Sequence, residues 1–317
     1  MRPNSPQRRH HYIPEFYLKR WQLGGDRLLE FSRPRGSEVR YRWVSPKQTG
    51  YVNKLYFLEH LPAELQNDYE DRFFTPVDTK AARVLERFEA RDFNLDTVAR
   101  SSWARFIMSL TFRAPEMIEG LRQHLTHDLF HPSPQREAAY RRRRQSGQPE
   151  TLLEALELER NDGDIEHYTL DVAMGLADSR KIGQRLINMA WGYRVLPFNA
   201  PALLTSDRPT VWAQSLDDPQ FRIFFPIGPK TVFWAANSPR TARAIQNADG
   251  ETLAKALNEN LVRRAVRYVW GTSTRQHDFV QRCMGVNPPH TIPDTLIQQR
   301  WDLTRERQRN RIRKAKD

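Results

Sequence analysis

The chain of 317 residues holds a single cysteine, Cys283. No intrachain disulfide is possible, and no cysteine-based zinc cluster. A reducing cytoplasm is the compartment this usage fits. No stretch approaches the ~20 apolar residues that a spanning helix needs. The basic opening, Met1 to Arg9, is followed by no apolar run, so no signal peptide is expected. Phosphate-cradling glycine loops, Gly-x-x-x-x-Gly-Lys or Gly-x-Gly-x-x-Gly, are missing, which argues against ATPase, kinase and dinucleotide-dependent roles. There is no Gly-x-Ser-x-Gly elbow and no triad order. A nucleotide cofactor is therefore not expected.

Acidic charge is comparatively scarce. The 50 Lys and Arg exceed the 38 Asp and Glu, and the formal net charge is +12. Such a surplus favours a polyanionic partner, nucleic acid before an anionic membrane surface. Hydrophobic content of 39% and aromatic content of 11% suffice for a real core.

Residues 27–32 and 38–44 are β-biased around the turn-like Arg33-Pro34-Arg35-Gly36, which reads as a hairpin; residues 51–58 add a third strand or an edge. From 63 to 91 the period becomes helical, with Phe73, Val77, Ala81, Val84, Leu85 and Phe88 recurring. Asn94-Leu95-Asp96 caps the next helix, which closes at Arg113-Ala114-Pro115, and Pro115 opens a third. Residues 151–160 and 164–189 give two more helices, the second long and amphipathic. Residues 193–198, 202–205, 221–225 and 231–235 read as strands, 252–270 as a helix, and 294–317 as a basic helix.

The expected fold is α+β. N-terminal and C-terminal strands share one mostly antiparallel sheet around a large helical middle. Residues 1–270 form a single domain with a helical insertion at about 61–190, and 271–317 form a basic helical extension.

Two adjacent imidazoles, His10 and His11, precede the aromatic segment Tyr12-Ile13-Pro14-Glu15-Phe16-Tyr17-Leu18-Lys19-Arg20-Trp21. Imidazole serves readily as metal ligand or proton carrier near neutral pH. It serves equally as a core residue donating one hydrogen bond. Asp207 follows an apolar strand and precedes Arg208-Pro209; it is either a loop-borne catalytic carboxylate or the cap of a turn. Glu70 sits in a charged first turn that the helix dipole alone would favour, and Arg113 lies at a helix C-terminus that stabilises any cation.

His11-Tyr12-Ile13-Pro14-Glu15-Phe16-Tyr17-Leu18 resembles the opening of a bacterial domain-of-unknown-function family, four-two-three-eight. Its members begin His-Tyr-Val-Pro-x-Phe-Tyr-Leu. The resemblance continues at Glu70, at Arg113-Ala114-Pro115, at Ser206-Asp207-Arg208-Pro209 and at Pro226-Ile227-Gly228-Pro229, to about Trp270. His10 lies outside that motif. Some members occur in anti-phage defence loci, so the resemblance implies an effector role.

A His, two carboxylates and an Arg gathered from distant segments suit phosphodiester cleavage. His11 and Asp207 could hold one divalent cation that polarises a phosphate. Without metal, Glu70 and His11 act as base and acid on an RNA 2′-hydroxyl while Arg113 stabilises the phosphorane. Nuclease motifs fit poorly. Asn53 and His60 follow His11 at a distance that breaks a His-Asn-His unit, and no Glu-x-Lys follows Asp207. The alternative is a non-catalytic module that binds nucleic acid or a partner and whose motif residues are structural. Arg141, Arg142, Arg143 and Arg144, together with Arg309, Arg311, Arg313 and Lys314, would neutralise phosphates, and Trp21, Trp43 and Tyr51 would stack bases.

Overall fold

A computed structural model describes residues 9–287. The basic 294–317 segment, with Arg309, Arg311, Arg313 and Lys314, lies outside the described residues.

The chain opens with strand β1 (Arg9–His11), the short helix α1 (Glu15–Leu18), and the hairpin β2 (Leu28–Ser32) and β3 (Arg40–Val44), followed by β4 (Tyr51–Asn53). A helical block follows. A π-helical turn, Glu70–Phe74, runs straight into α2 (Thr75–Glu89); then come α3 (Thr97–Phe112), α4 (Pro115–Phe130), α5 (Pro134–Arg143), α6 (Leu152–Leu158), α7 (Asp162–Ala177) and α8 (Arg180–Asn188). The second β region holds β5 (Ala190–Val195), β6 (Thr205–Ser206), β7 (Val211–Ala213), β8 (Arg222–Gly228) and β9 (Thr231–Ala236). Helices α9 (Pro239–Asn247) and α10 (Gly250–Arg264), strand β10 (Tyr268–Gly271) and helix α11 (His277–Cys283) complete it.

The fold is α+β, with antiparallel pairing throughout the described ladders. The described strands fall into three sheets. Four strands run β3-β2-β10-β6, four run β5-β9-β8-β7, and β1 pairs with β4 alone. Strand β10 does join the N-terminal hairpin to a C-terminal strand, but β6, two residues long, ends that ladder. The apolar run before it does not extend the strand because its backbone is engaged elsewhere. Leu203 N–H donates to the Pro229 carbonyl, and Leu204 N–H to Asn258 Oδ1 at 2.8 Å.

Two helical expectations break at polar residues. The long helix over 164–189 divides at Asp178-Ser179, where Ser179 turns to extended backbone. The helix expected to reach Trp270 stops at Arg264, and its last residues form β10. Asp207 causes this second break, as described below.

The core carries the aromatic anchor. Tyr12, Ile13, Tyr17, Leu18 and Trp21 have no exposed surface and pack with Trp103 and Phe106 of α3, Leu85 and Phe88 of α2, and Phe225 and Phe233 of the second sheet. Asp96 starts α3 by accepting from Ala99 N–H, a cap of about 1 kcal/mol. Tyr17 stacks on Phe225, and its hydroxyl meets Thr205 Oγ1 at 2.6 Å; Trp21 donates to the Leu203 carbonyl at 2.8 Å. These bonds fasten the N-terminal motif to the β6 region, 182 and 188 residues away in sequence. Trp21 is thus sealed in the core and has no face to offer a base. No helix among the described residues is long and apolar enough to cross a membrane.

Candidate functional site

In β1 the side chains alternate, so His10 and His11 point to opposite faces of the two-stranded ladder. His10 faces inward, fully buried. Its Nδ1 accepts the Tyr56 N–H at 2.8 Å, its Nε2 meets Asn67 Oδ1 at 2.8 Å, and its ring stacks on Tyr56. Accepting at Nδ1 places the proton on Nε2 and fixes a neutral tautomer. The histidine outside the motif therefore has a defined structural job.

His11 pairs in register with Tyr51, and the two rings touch at 5.4 Å. Its Nε2 is 3.7 Å from Glu15 Oε1, too long for a hydrogen bond, and has no hydrogen-bond partner although buried. Burial holds its pKa below the usual histidine value; Glu15 and the Pro46 carbonyl work against that effect, and the Arg113 charge adds to it. His11 is therefore neutral at pH 7, with a ring nitrogen available to take a proton.

Glu70 lies in the π-helical turn, where the i to i+5 spacing places it beside Thr75, whose hydroxyl donates to Glu70 Oε1 at 3.4 Å. Its Oε2 is buried without a partner. Burial pushes its pKa up to about 7 against the pull of Arg113. Two helix turns on, Asp78 receives the Arg113 Nη1 at 2.9 and 3.1 Å. Burial also raises the Asp78 carboxyl, opposed by Arg113.

Arg113 has no exposed surface. Its guanidinium lies between the faces of Phe74 and Phe106, at 5.8 and 5.6 Å. The Tyr56 hydroxyl donates to its carbonyl at 2.7 Å. Its Nε and Nη2 carry no partner among the described residues. Buried donors are nearly always satisfied, and orphaned ones mark a strained or functional place. The Arg113 charge acts on both His11 and Glu70, each of which also has an orphaned polar atom. Its partner Asp78 lines a groove of about 420 Å³ together with Phe16, Thr75, Thr79, Ala82, Arg83 and Glu86.

Asp207 is different. It is fully buried, its Oδ1 accepts from Val266 N–H at 3.0 Å, and its Oδ2 accepts from Arg267 and Tyr268 N–H at 2.5 and 3.4 Å. These bonds stop α10 and turn the chain into β10. Burial raises its pKa, while Arg208 and the backbone donors lower it. Arg208 and Arg267 both pair with Glu116. Asp207 therefore caps a turn. No hydrogen bond or ion pair joins it to His11 among the described residues, and no group of three or more His, Cys, Asp or Glu that could hold a metal gathers there.

Of the four expected residues, Arg113 acts electrostatically on both His11 and Glu70, while Asp207 is held in a turn beside Arg208, Arg267 and Glu116. The missed members are Asp78 and Tyr56. Asp78 was legible as a carboxylate beside the apolar stripe of Phe74, Val77, Ala81 and Leu85. Arg141, Arg142 and Arg143 close the exposed helix α5, which buries no side chain, and Arg144 follows as its cap. Trp43 stays 45% exposed on β3 and Tyr51 is half-buried.

A family model described as a protein of unknown function (DUF4238) matches residues 9–275. No curated protein and no solved structure matches the chain.

Proposed function

The chain belongs to the DUF4238 family, and from the site it carries we propose a hydrolytic effector that cleaves phosphodiester bonds in nucleic acid. Anti-phage defence in the cytoplasm is the setting that the family resemblance implies. One observation carries this reading: Arg113, fully buried with two guanidinium nitrogens unpaired among the described residues, acts electrostatically on His11 and on Glu70, a carboxyl of pKa about 7.

Each group supplies one part of an acid–base cleavage. Arg113 binds non-bridging phosphate oxygens through Nε and Nη2, two donors in the fixed fork that matches a phosphate. Asp78 on Nη1 keeps that fork oriented. His11 Nε2 takes the proton from the attacking hydroxyl, an RNA 2′-OH or a water. Glu70, about half protonated at pH 7, gives a proton to the leaving oxygen. A pair of titratable groups driven apart in this way is a recurring sign of acid–base work. The net charge of +12 supports a polyanionic substrate.

The test is cleavage of labelled RNA and DNA by the purified chain, alongside His11→Ala and Arg113→Lys. Both variants should stay folded and lose cleavage by ~100-fold or more, the scale of losing a general base or a bidentate clamp. Unchanged rates in both would overturn the proposal.

A second reading has its own support. Tyr17, Trp21 and Asp207, all motif residues, act as fasteners between distant segments. On that reading the chain is a non-catalytic module for nucleic acid or a partner, and His11→Ala lowers stability without changing any activity.

A further inference from the structure

Strands β3, β2 and β10 present a groove of about 600 Å³ lined by Glu30, Ser32, Arg33, Pro34, Arg40, Tyr41, Arg42, Val266, Arg267 and Tyr268. The register places Arg40, Ser32 and Tyr268 in one row across the three strands, and Arg42, Glu30 and Trp270 in the next. Alternation along β3 sets its two arginines roughly 7 Å apart on one face. They are 71% and 62% exposed.

Four guanidinium groups line this groove against one carboxylate, Glu30. Glu30 is fully buried and neutralised from above, accepting from Arg42 Nε at 2.7 Å and from the Thr49 hydroxyl. Arg40 and Arg267 pair with Glu38 and Glu116 beside the groove, so the surplus is one guanidinium, with the exposed Arg40 and Arg42 presented to solvent. The half-buried Tyr268 ring, stacked on Trp270 at 5.6 Å, supplies an aromatic surface among these cations. Basic side chains with an aromatic ring between them suit a strand whose bases are unstacked, since every base has a π-face and every phosphate a charge. A duplex hides its base faces and could use only the charges.

The groove also points toward the polar interior. Tyr51 pairs with His11 in register and touches its ring, and the same Tyr51 lies within electrostatic reach of Arg42. Arg9 sits over the outer face of Tyr51, at 5.1 Å. The track of arginines and tyrosines thus runs from Arg40 to the neighbourhood of His11.

We infer that this groove binds single-stranded nucleic acid and leads it to His11. The inference rests on the reading of nucleic acid as the substrate, but binding and cleavage are measured separately. Fluorescence anisotropy of the full chain would use labelled oligo(U), oligo(dT) and a duplex of equal length, at two salt concentrations. The single strands should bind more tightly than the duplex. Arg40→Glu, at an exposed position paired only with the exposed Glu38, should weaken binding by ~10-fold and reduce the salt slope by about one. Tyr268→Leu, which keeps the packing and removes the aromatic face, should weaken it by ~5-fold.

Equal affinity of Arg40→Glu and wild type, a preference for duplex, or no binding at all would overturn the groove. Oligonucleotide bound in the groove but never cut would sink the hydrolytic reading and leave the groove standing. Cleavage with Arg40→Glu affinity unchanged would do the reverse. A preference between oligo(U) and oligo(dT) assigns the substrate as RNA or DNA.

Discussion

Asp207 and Arg113 are two charged side chains with no exposed surface, and the protein treats them in opposite ways. Around Asp207 three backbone N–H groups converge on one carboxylate, and its neighbours Arg208 and Arg267 close on Glu116. Around Arg113 one nitrogen is paired and two are not, and the nearby His11 Nε2 and Glu70 Oε2 are also without partners. A buried polar group left unpaired costs about 1–3 kcal/mol. On the proposed reading, the open half of Arg113 is kept for a phosphate. Burial and charge alone do not tell the two apart; the count of partners does.

The largest test removes Asp207. Asp207→Ala leaves the N–H groups of Val266, Arg267 and Tyr268 without their carboxylate acceptor and frees the turn that separates α10 from β10. A loss of about 3–5 kcal/mol is expected, read from urea unfolding at constant slope. The paired variant Arg113→Met with Asp78→Leu removes both partners of a buried pair at once, and should stay within about 1 kcal/mol of wild type while abolishing cleavage. Equal losses in the two variants would erase the distinction between a satisfied and a reserved charge.

Glu70 comes next. Its folded pKa of about 7 lies above the ordinary 4.5. A carboxyl raised by folding stabilises most where it is protonated in both states, below about pH 4.5. That contribution fades as pH rises through 7, because the unfolded state releases its proton first. Glu70→Gln should therefore gain stability relative to wild type above pH 7, by at most about 3 kcal/mol, and match it near pH 4. Melting temperature against pH reads this directly. Cleavage by wild type should also fall on the alkaline side as Glu70 deprotonates. A flat stability difference between pH 4 and 8 would mean that Glu70 is an ordinary solvated helix residue.

The two adjacent histidines repeat the comparison on a smaller scale. His10 has both ring nitrogens engaged and no exposed surface, so His10→Phe should cost about 1–3 kcal/mol by stranding the Tyr56 N–H and Asn67. His11→Phe, which strands only the Pro46 carbonyl, should cost less and abolish cleavage. Thermal unfolding of both variants decides it, and a larger loss at His11 would reverse their roles.

Much of this was legible in the residues. Capping at Asp96, the apolar period over α2 and α3, and the β-biased pair around Arg33-Pro34-Arg35-Gly36 are local signals, and the structure has those elements. What failed was non-local. Tyr268, Val269 and Trp270 continue a helical apolar pattern, and only Asp207, about sixty residues earlier, turns them into a strand. Leu203 and Leu204 read as strand, yet Pro229 and Asn258 take their backbone N–H groups. In the site, His11, Glu70 and Arg113 were picked out by family resemblance and residue type. Asp78 was overlooked because its partner lies 35 residues away in α3's cap, and a carboxylate in a helix reads as a solvated face. The dismissal of His10 had the same cause, since its partners Tyr56 and Asn67 come from loops beyond the hairpin.

The smallest effect isolates what holds His11 ready. Glu15 is the strongest influence raising the His11 pKa, from 3.7 Å, against the lowering by burial and by Arg113. Glu15→Gln should therefore move the His11 titration further down, followed by NMR of the ring protons. Global stability at pH 7 should change by less than about 0.5 kcal/mol, because the imidazole is neutral there and the carboxylate is partly exposed. The sign below neutrality follows from the lowered folded pKa. The unfolded state takes up a proton near 6.5 while the folded state resists, so stability falls as pH drops through that value, and falls further in Glu15→Gln. The acidic limb of cleavage against pH should shift down with the titration, since His11 must be neutral to act as base. If the titration moves while the acidic limb stays, His11 is an anchored aromatic like Tyr12, and the open half of Arg113 serves another base.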